Sequence, residues 1–96
     1  MFETQNRSSD TGPQNAPVTV YGTRWCAATQ MVRRFLDRNN IPFRFRDMDA
    51  DESAANQVRW WTGGNASHPT VQVGGQVLVE PSISELELAL AQNDLM

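Results

Sequence analysis

The chain has a single cysteine, no lysine and no long hydrophobic run among its 96 residues. One cysteine excludes a disulfide within the chain, and it excludes a metal site built from the cysteines of one chain. No apolar stretch approaches the roughly 18 residues that a membrane-spanning helix requires. The N-terminal sequence MFETQNRSSDTGPQNA lacks the hydrophobic centre of a signal peptide. We therefore expect a cytoplasmic protein with no membrane partner.

The charge composition limits the partners further. The formal net charge is −3, and all eight basic residues are arginines. They are scattered along the chain, whereas nucleic-acid-binding proteins carry clustered basic residues on one face or helix. We expect no nucleic-acid partner.

The length predicts one domain with a tail before it. Residues 1–16 are rich in Ser, Gln, Asn, Asp, Gly and Pro, and Met1 and Phe2 are their only large apolar side chains. So little apolar surface cannot offset the entropy of ordering the segment. The sequence therefore predicts a flexible N-terminal tail over 1–16 and a folded domain over 17–96.

Hydrophobic periodicity predicts four strands and three helices in the order β-α-β-α-β-β-α. The predicted strands cover 18–21, 43–46, 71–73 and 77–79, and the predicted helices cover 27–39, about 49–61, and a segment that begins with the capping box at 82–85. The strand FRFR at 43–46 alternates with period two, which suits an edge position. The first three elements predict a parallel strand pair, and the glycine turn at 74–76 predicts a hairpin. The result is a mixed α/β sheet with helices on both faces.

Cys26 lies where the first strand and its loop turn into the first helix. The free amides and the positive dipole end of a helix N-terminus stabilise a thiolate over a thiol. The thiolate is the reactive form, so this position favours a functional thiol. The alternative is that Cys26 is a small buried hydrophobic residue.

The sequence allows two roles for each of the two residues that precede Cys26. Arg24 either adds positive charge near the sulfur or is an ordinary surface arginine. Trp25 either forms an apolar wall beside the site or caps the core.

Two segments of the chain resemble the glutaredoxin branch of the thioredoxin superfamily. These are TVYGTRWCAAT and, some forty residues later, GGNASHPTVQVGGQVLVEPS. Among glutaredoxin relatives, the mycoredoxin-like proteins are the most similar, because they share the order of these motifs: Trp25-Cys26, Gly63-Gly64-Asn65, Pro69-Thr70-Val71 and Pro81-Ser82. The resemblance spans residues 17 to about 92 and implies a thioredoxin-like fold with a four-stranded mixed sheet.

The resemblance also implies roles for single residues. Cys26 corresponds to the nucleophilic cysteine, and Pro69 to a cis-proline that faces it; the alternative for Pro69 is an ordinary trans turn proline. Thr70 and Ser82 would line the same groove. Backbone amides at the start of the last helix would bind a ligand carboxylate.

The chain departs from the family pattern at two positions. Thr29 stands in place of the second cysteine, which leaves a CAAT motif without a resolving thiol. Its hydroxyl either donates a hydrogen bond to Cys26 or serves only the helix. His68 replaces the usual valine, and it either pairs with the thiolate or lies on the rim. The acidic residue that commonly holds the amino group of glutathione is not evident around residues 81–84.

These features lead to a monothiol thiol-disulfide oxidoreductase as the main hypothesis. Cys26 would reduce mixed disulfides between proteins and a small thiol, with that thiol as co-substrate, no tightly bound cofactor, no metal site, and a monomeric chain. One alternative is a [2Fe–2S] carrier, in which two copies of Cys26 and two small thiols hold the cluster between two chains. Another is a redox-inactive adaptor that binds polypeptides beside Pro69.

Overall fold

The protein is described here by a computed structural model that covers residues 10–96. Within these residues the elements are β1 (Asp10–Thr11), β2 (Val18–Gly22), α1 (Ala27–Arg38), β3 (Phe43–Asp47), α2 (Glu52–Thr62), β4 (Thr70–Val73), β5 (Gln76–Val79) and α3 (Ile83–Gln92). Residues 1–9 of the predicted tail lie outside the described residues. No helix within 10–96 has the length and apolar character needed to cross a membrane.

The strands form one mixed sheet in the order β1-β3-β2-β4-β5. β2 and β3 are parallel, whereas β2 with β4 and β4 with β5 are antiparallel. The predicted parallel pair, the predicted hairpin and the thioredoxin-like α/β class are therefore confirmed.

The strand β1 corrects three details of the prediction. Asp10 and Thr11 pair with Arg46 and Phe45 of β3, so the sheet has five strands rather than four. The tail prediction is therefore wrong for Asp10 and Thr11, and β3 is not an edge strand. The Asp10 carboxylate accepts a hydrogen bond from Arg44 Nε at 2.9 Å, and this ion pair helps to hold a strand too short to show in a periodicity pattern.

Each face of the sheet has its own hydrophobic core. Val20 and Val71 point to one face, where they pack with Leu36 of α1 and Leu86 of α3. The other face is covered by α2, whose apolar residues pack with Tyr21 and Met48. Helices therefore cover both faces, as predicted.

The sequence identifies the capping residue of α3 and places Cys26 at the start of α1. Ser82 caps α3 through the predicted capping box with Glu85. Cys26 is the residue immediately before α1. The cap of α2 is Asp51, whose carboxylate accepts from the amides of Ser53 and Ala54, so this helix begins later than the predicted start at about 49.

The sheet register places two loops at one end of the molecule. Tyr21, near the end of β2, lies opposite Thr70, the first residue of β4. The loop that follows β2 carries Cys26, and the loop that precedes β4 carries Pro69. Antiparallel pairing of β2 and β4 therefore brings residues more than forty positions apart in sequence into one site.

Candidate active site around Cys26

Cys26 occupies the N-cap position of α1 with an extended backbone, φ −87° and ψ 118°. Its side chain makes no capping hydrogen bond, so the sulfur is directed to other groups. Cys26 Sγ lies 4.0 Å from the carbonyl oxygen of His68. The peptide bond between His68 and Pro69 is cis, so the isomer predicted for this bond is the one observed.

The surroundings of Cys26 favour its thiolate form. Partial burial has the largest single effect on the pKa of Cys26, and it raises this pKa because it disfavours the charged thiolate. Once Cys26 is ionised, its sulfur is stabilised by the hydroxyl and amide of Thr29, the side chain of His68 and the amide of Ala28, and these interactions outweigh burial and lower the pKa of Cys26 from 9.0 to about 7. The sulfur is thus poised to ionise near neutral pH.

Thr29 is the residue in place of a second cysteine, and its surroundings are unusual for a polar side chain. It is fully buried, and its hydroxyl has no hydrogen-bond partner among residues 10–96. A buried hydroxyl without a partner normally destabilises a fold. Its proton is available to a thiolate at Cys26, and the Thr29 hydroxyl contributes the largest of the interactions that lower the pKa of that thiol.

Gly22 gives Thr29 the space it occupies. A Cβ atom at Gly22 would lie 2.5 Å from both Oγ1 and Cγ2 of Thr29, closer than real side-chain contacts allow. Gly22 is the last residue of β2. Its missing side chain lets the first turn of α1 approach the end of the strand.

Arg24 is tied to the sheet by its side chain and to α1 by its backbone. Arg24 Nε donates to a carboxylate oxygen of Asp47 at 3.0 Å, and the Asp47 side chain is almost fully buried. The carbonyl oxygen of Arg24 accepts from the side-chain amide of Gln30 at 3.0 Å. Arg24 is thus an anchor for the loop that carries Cys26, a role that neither sequence interpretation included.

The remaining predicted site residues fall into different environments. Trp25 is 89% exposed, so it does not cap the core. Thr70 is fully buried and its hydroxyl donates to the carbonyl of Ser67 at 2.9 Å, which directs that hydroxyl into the loop rather than into an open groove. Ser82 Oγ accepts from the Glu85 amide as the cap of α3.

The structure adds Glu80, which the sequence analysis did not single out. Glu80 and His68 line the same open depression, together with residues 65–67. The Glu80 amide donates to the carbonyl of Pro69 at 2.8 Å, and its backbone has a positive φ of 49°. Its position directly before Pro81-Ser82 was the only sequence signal for an acidic group here.

Comparisons with known proteins agree with this geometry. The family model described as Glutaredoxin matches residues 18–78. A Mycobacterium tuberculosis (strain H37Rv) protein named as a glutaredoxin is 32% identical over 78 residues, which are 80% of this chain and 93% of that protein.

Two solved structures share the fold. The thioredoxin-like protein BC3987 superposes with a TM-score of 0.69 at 29% identity, covering 76% of this chain and 99% of that one. The glutaredoxin grx-1 of Archaeoglobus fulgidus also gives a TM-score of 0.69, at 22% identity, covering 80% of this chain and 88% of that one. The chain belongs to the glutaredoxin family.

Proposed function

We propose that this chain is a monothiol thiol-disulfide oxidoreductase, which removes a small thiol from protein mixed disulfides through Cys26. Membership of the glutaredoxin family gives it a thiol oxidoreductase-type role. The monothiol mechanism, the mixed-disulfide substrate and action as a monomer in the cytoplasm are the proposed parts.

The observation that carries the proposal is a thiol with a pKa of about 7 at the start of a helix, in a chain with no second cysteine. In the first step the Cys26 thiolate attacks the small-thiol sulfur of a mixed disulfide. A new disulfide forms between Cys26 and the small thiol, and the protein leaves as a thiolate. In the second step the thiolate of a second small-thiol molecule attacks the small-thiol sulfur that is bound to Cys26. This attack yields the small thiol as its disulfide and regenerates the Cys26 thiolate.

The surrounding residues have separate parts in this scheme. Thr29 and His68 lower the pKa of the attacking sulfur. Arg24 and its partner Asp47 hold the loop that carries the sulfur. The backbone carbonyl of His68, 4.0 Å from Cys26 Sγ, is placed to accept a hydrogen bond from a bound thiol's backbone amide.

The depression beside His68 is our candidate site for the small thiol. Glutaredoxins use glutathione or a similar thiol as co-substrate. Glu80 supplies a carboxylate there for an amino group of the ligand. The N-terminus of α3 lies next along the chain; the Ser82 amide already donates to Glu85, and the amides of the first helical turn that follow it are the ones placed for a ligand carboxylate.

The test is reduction of a protein mixed disulfide with glutathione, mycothiol and bacillithiol supplied in turn. We expect turnover with at least one thiol and none with the Cys26→Ser variant. Absence of turnover with all three, or equal turnover by the variant, would contradict the proposal.

A further inference from the structure

We infer that the outer edge of β5 docks an extended, basic segment of a substrate protein. The inference rests on the proposed function in one respect: the docked partner is taken to be a substrate of that reaction. The docking surface, called the β5 groove below, is formed by Gln76–Val79 together with Pro81 and with Glu85, Leu88, Ala89 and Gln92 of α3.

The two edges of the sheet differ in how they are protected. Among residues 10–96, β1 comprises two residues, and one of them is the charged Asp10, paired with Arg44. β5 has four residues, Gln-Val-Leu-Val, none of them charged. It is the last strand of the sheet, and within residues 10–96 only β4 pairs with it. Natural edge strands usually carry charges, prolines or bulges, so an uncharged edge is suited to accept an added strand.

The β5 groove also exposes apolar side chains. It encloses about 300 Å³ between the strand and α3. Val79 is 47% exposed and Leu88 is 60% exposed. An extended segment with apolar side chains at alternate positions would cover both residues while its backbone pairs with β5.

The negative charge of residues 60–96 favours a basic partner segment. All eight basic residues lie at or before Arg59. The charged residues from position 60 onward are all acidic: Glu80, Glu85, Glu87 and Asp94. Glu85 lines the groove itself. A lysine- or arginine-containing segment is therefore attracted, whereas a second copy of this chain has no lysine or arginine in its own residues 60–96 to place against Glu85.

The β5 groove ends next to the active site. β5 stops at Val79, and the following residue, Glu80, donates its amide to the carbonyl of Pro69 at 2.8 Å. Pro69 is joined to His68, whose own carbonyl faces the sulfur of Cys26. A segment that lies along β5 therefore reaches the end of the sheet that carries Cys26, with β4 between β5 and the strand that precedes the Cys26 loop.

The test measures binding without any thiol chemistry. A short synthetic peptide of alternating valine and lysine is titrated into the ¹⁵N-labelled Cys26→Ser chain, and a valine–glutamate peptide is titrated as the charge control. We expect amide shifts concentrated in residues 76–79 and 85–92 with the lysine peptide, weakening as salt rises. Leu88→Lys should weaken its binding roughly fivefold or more, because it removes apolar contact and adds repulsion.

Trp60→Lys is the matched control variant. Trp60 is 81% exposed and lines a different depression, with Ser53, Asn56 and Gln57, so this variant makes the same charge change away from the groove and should bind the peptide normally. Shifts confined to other surfaces, equal binding of the two peptides, or dimers that form through residues 76–79 would each overturn the inference. If the unmutated chain bound the lysine peptide as expected but did not reduce a mixed disulfide, the proposed function would be overturned and the docking inference would stand.

Discussion

Cys26 Sγ and the carbonyl oxygen of His68 lie 4.0 Å apart, although 42 positions separate the two residues in sequence. The contact joins the loop after β2 to the loop before β4. It places the Cys26 sulfur beside the backbone carbonyl that we propose as a substrate contact, while the His68 side chain lowers the pKa of the same sulfur. Under the proposed function, one residue on the second loop would therefore take part in both substrate binding and thiol activation.

The first prediction concerns how the reactivity of Cys26 depends on pH. A pKa of about 7 rather than 9.0 makes half of the thiol ionised at pH 7. Each thiolate is less nucleophilic at the lower pKa, so the net gain in alkylation rate over a free cysteine is roughly fivefold at pH 7. Iodoacetamide kinetics from pH 5 to 10 should give a midpoint near 7, and His68→Val should move it upward.

The same shift makes the stability of the reduced protein depend on pH. The folded state releases the Cys26 proton at lower pH than the unfolded state does, so the thiolate stabilises the fold fully above about pH 9 and not below about pH 7. The free energy of unfolding should therefore rise between these values relative to that of Cys26→Ser. A midpoint of alkylation at the ordinary cysteine value, with no such rise, would contradict the assignment of an activated thiol.

A second prediction is that Thr29→Val makes the protein more stable and its thiol less reactive. Valine has the shape of threonine without the buried hydroxyl, which has no partner among the described residues. At pH 6, where the thiol is protonated, the free energy of unfolding should rise by about 1 kcal/mol. The pKa of Cys26 should rise, because the thiolate loses a hydrogen-bond donor.

Thr29→Ser separates the hydroxyl from the methyl group. It keeps the donor, so the alkylation profile should stay close to that of the unmutated protein, while the lost methyl lowers stability by about 1 kcal/mol. If valine and serine at this position gave the same alkylation profile, the hydroxyl would have no part in activating Cys26.

A third prediction is that Gly22→Ala distorts the active site. The new Cβ would lie 2.5 Å from two atoms of the Thr29 side chain, so α1 must shift or Thr29 must rotate. We expect a loss of about 1–3 kcal/mol in the free energy of unfolding, measured by urea denaturation, together with slower alkylation of Cys26.

Gly75→Ala is the control for this substitution. Apart from its chain neighbours, no atom of residues 10–96 lies within 4 Å of a Cβ at Gly75, which is in the exposed turn between β4 and β5. It should leave both stability and alkylation within experimental error. Equal effects of the two substitutions would mean that the space at Gly22 is not what shapes the site.

Much of the fold and the centre of the site follow from local sequence patterns. The apolar periods locate the long elements, the Ser82 and Glu85 pair marks the start of α3, and the strand-to-helix turn places Cys26 at a helix N-terminus. The resemblance to glutaredoxins adds Pro69 opposite the cysteine. These features can be predicted from the sequence because each depends on residues a few positions apart, or on a complete motif shared with glutaredoxins.

The features that the sequence does not reveal depend on contacts between distant residues. Asp10 and Thr11 look like part of a polar tail until Arg44 and β3 are beside them. Arg24 has no visible partner in sequence, because Asp47 is 23 positions away. Likewise, nothing in the chain order indicates that Glu80 shares a depression with His68. Which of these distant residues come into contact is determined by tertiary packing rather than by local secondary-structure propensity.

The most direct test of a single-cysteine mechanism is intact-mass spectrometry during turnover. After a protein mixed disulfide is added without free small thiol, the account predicts that Cys26 gains the mass of one small thiol less two hydrogens, while the substrate loses the same mass. Addition of the free thiol should then remove the adduct. Absence of the adduct, or a disulfide between this chain and the substrate protein as the persistent product, would contradict the account.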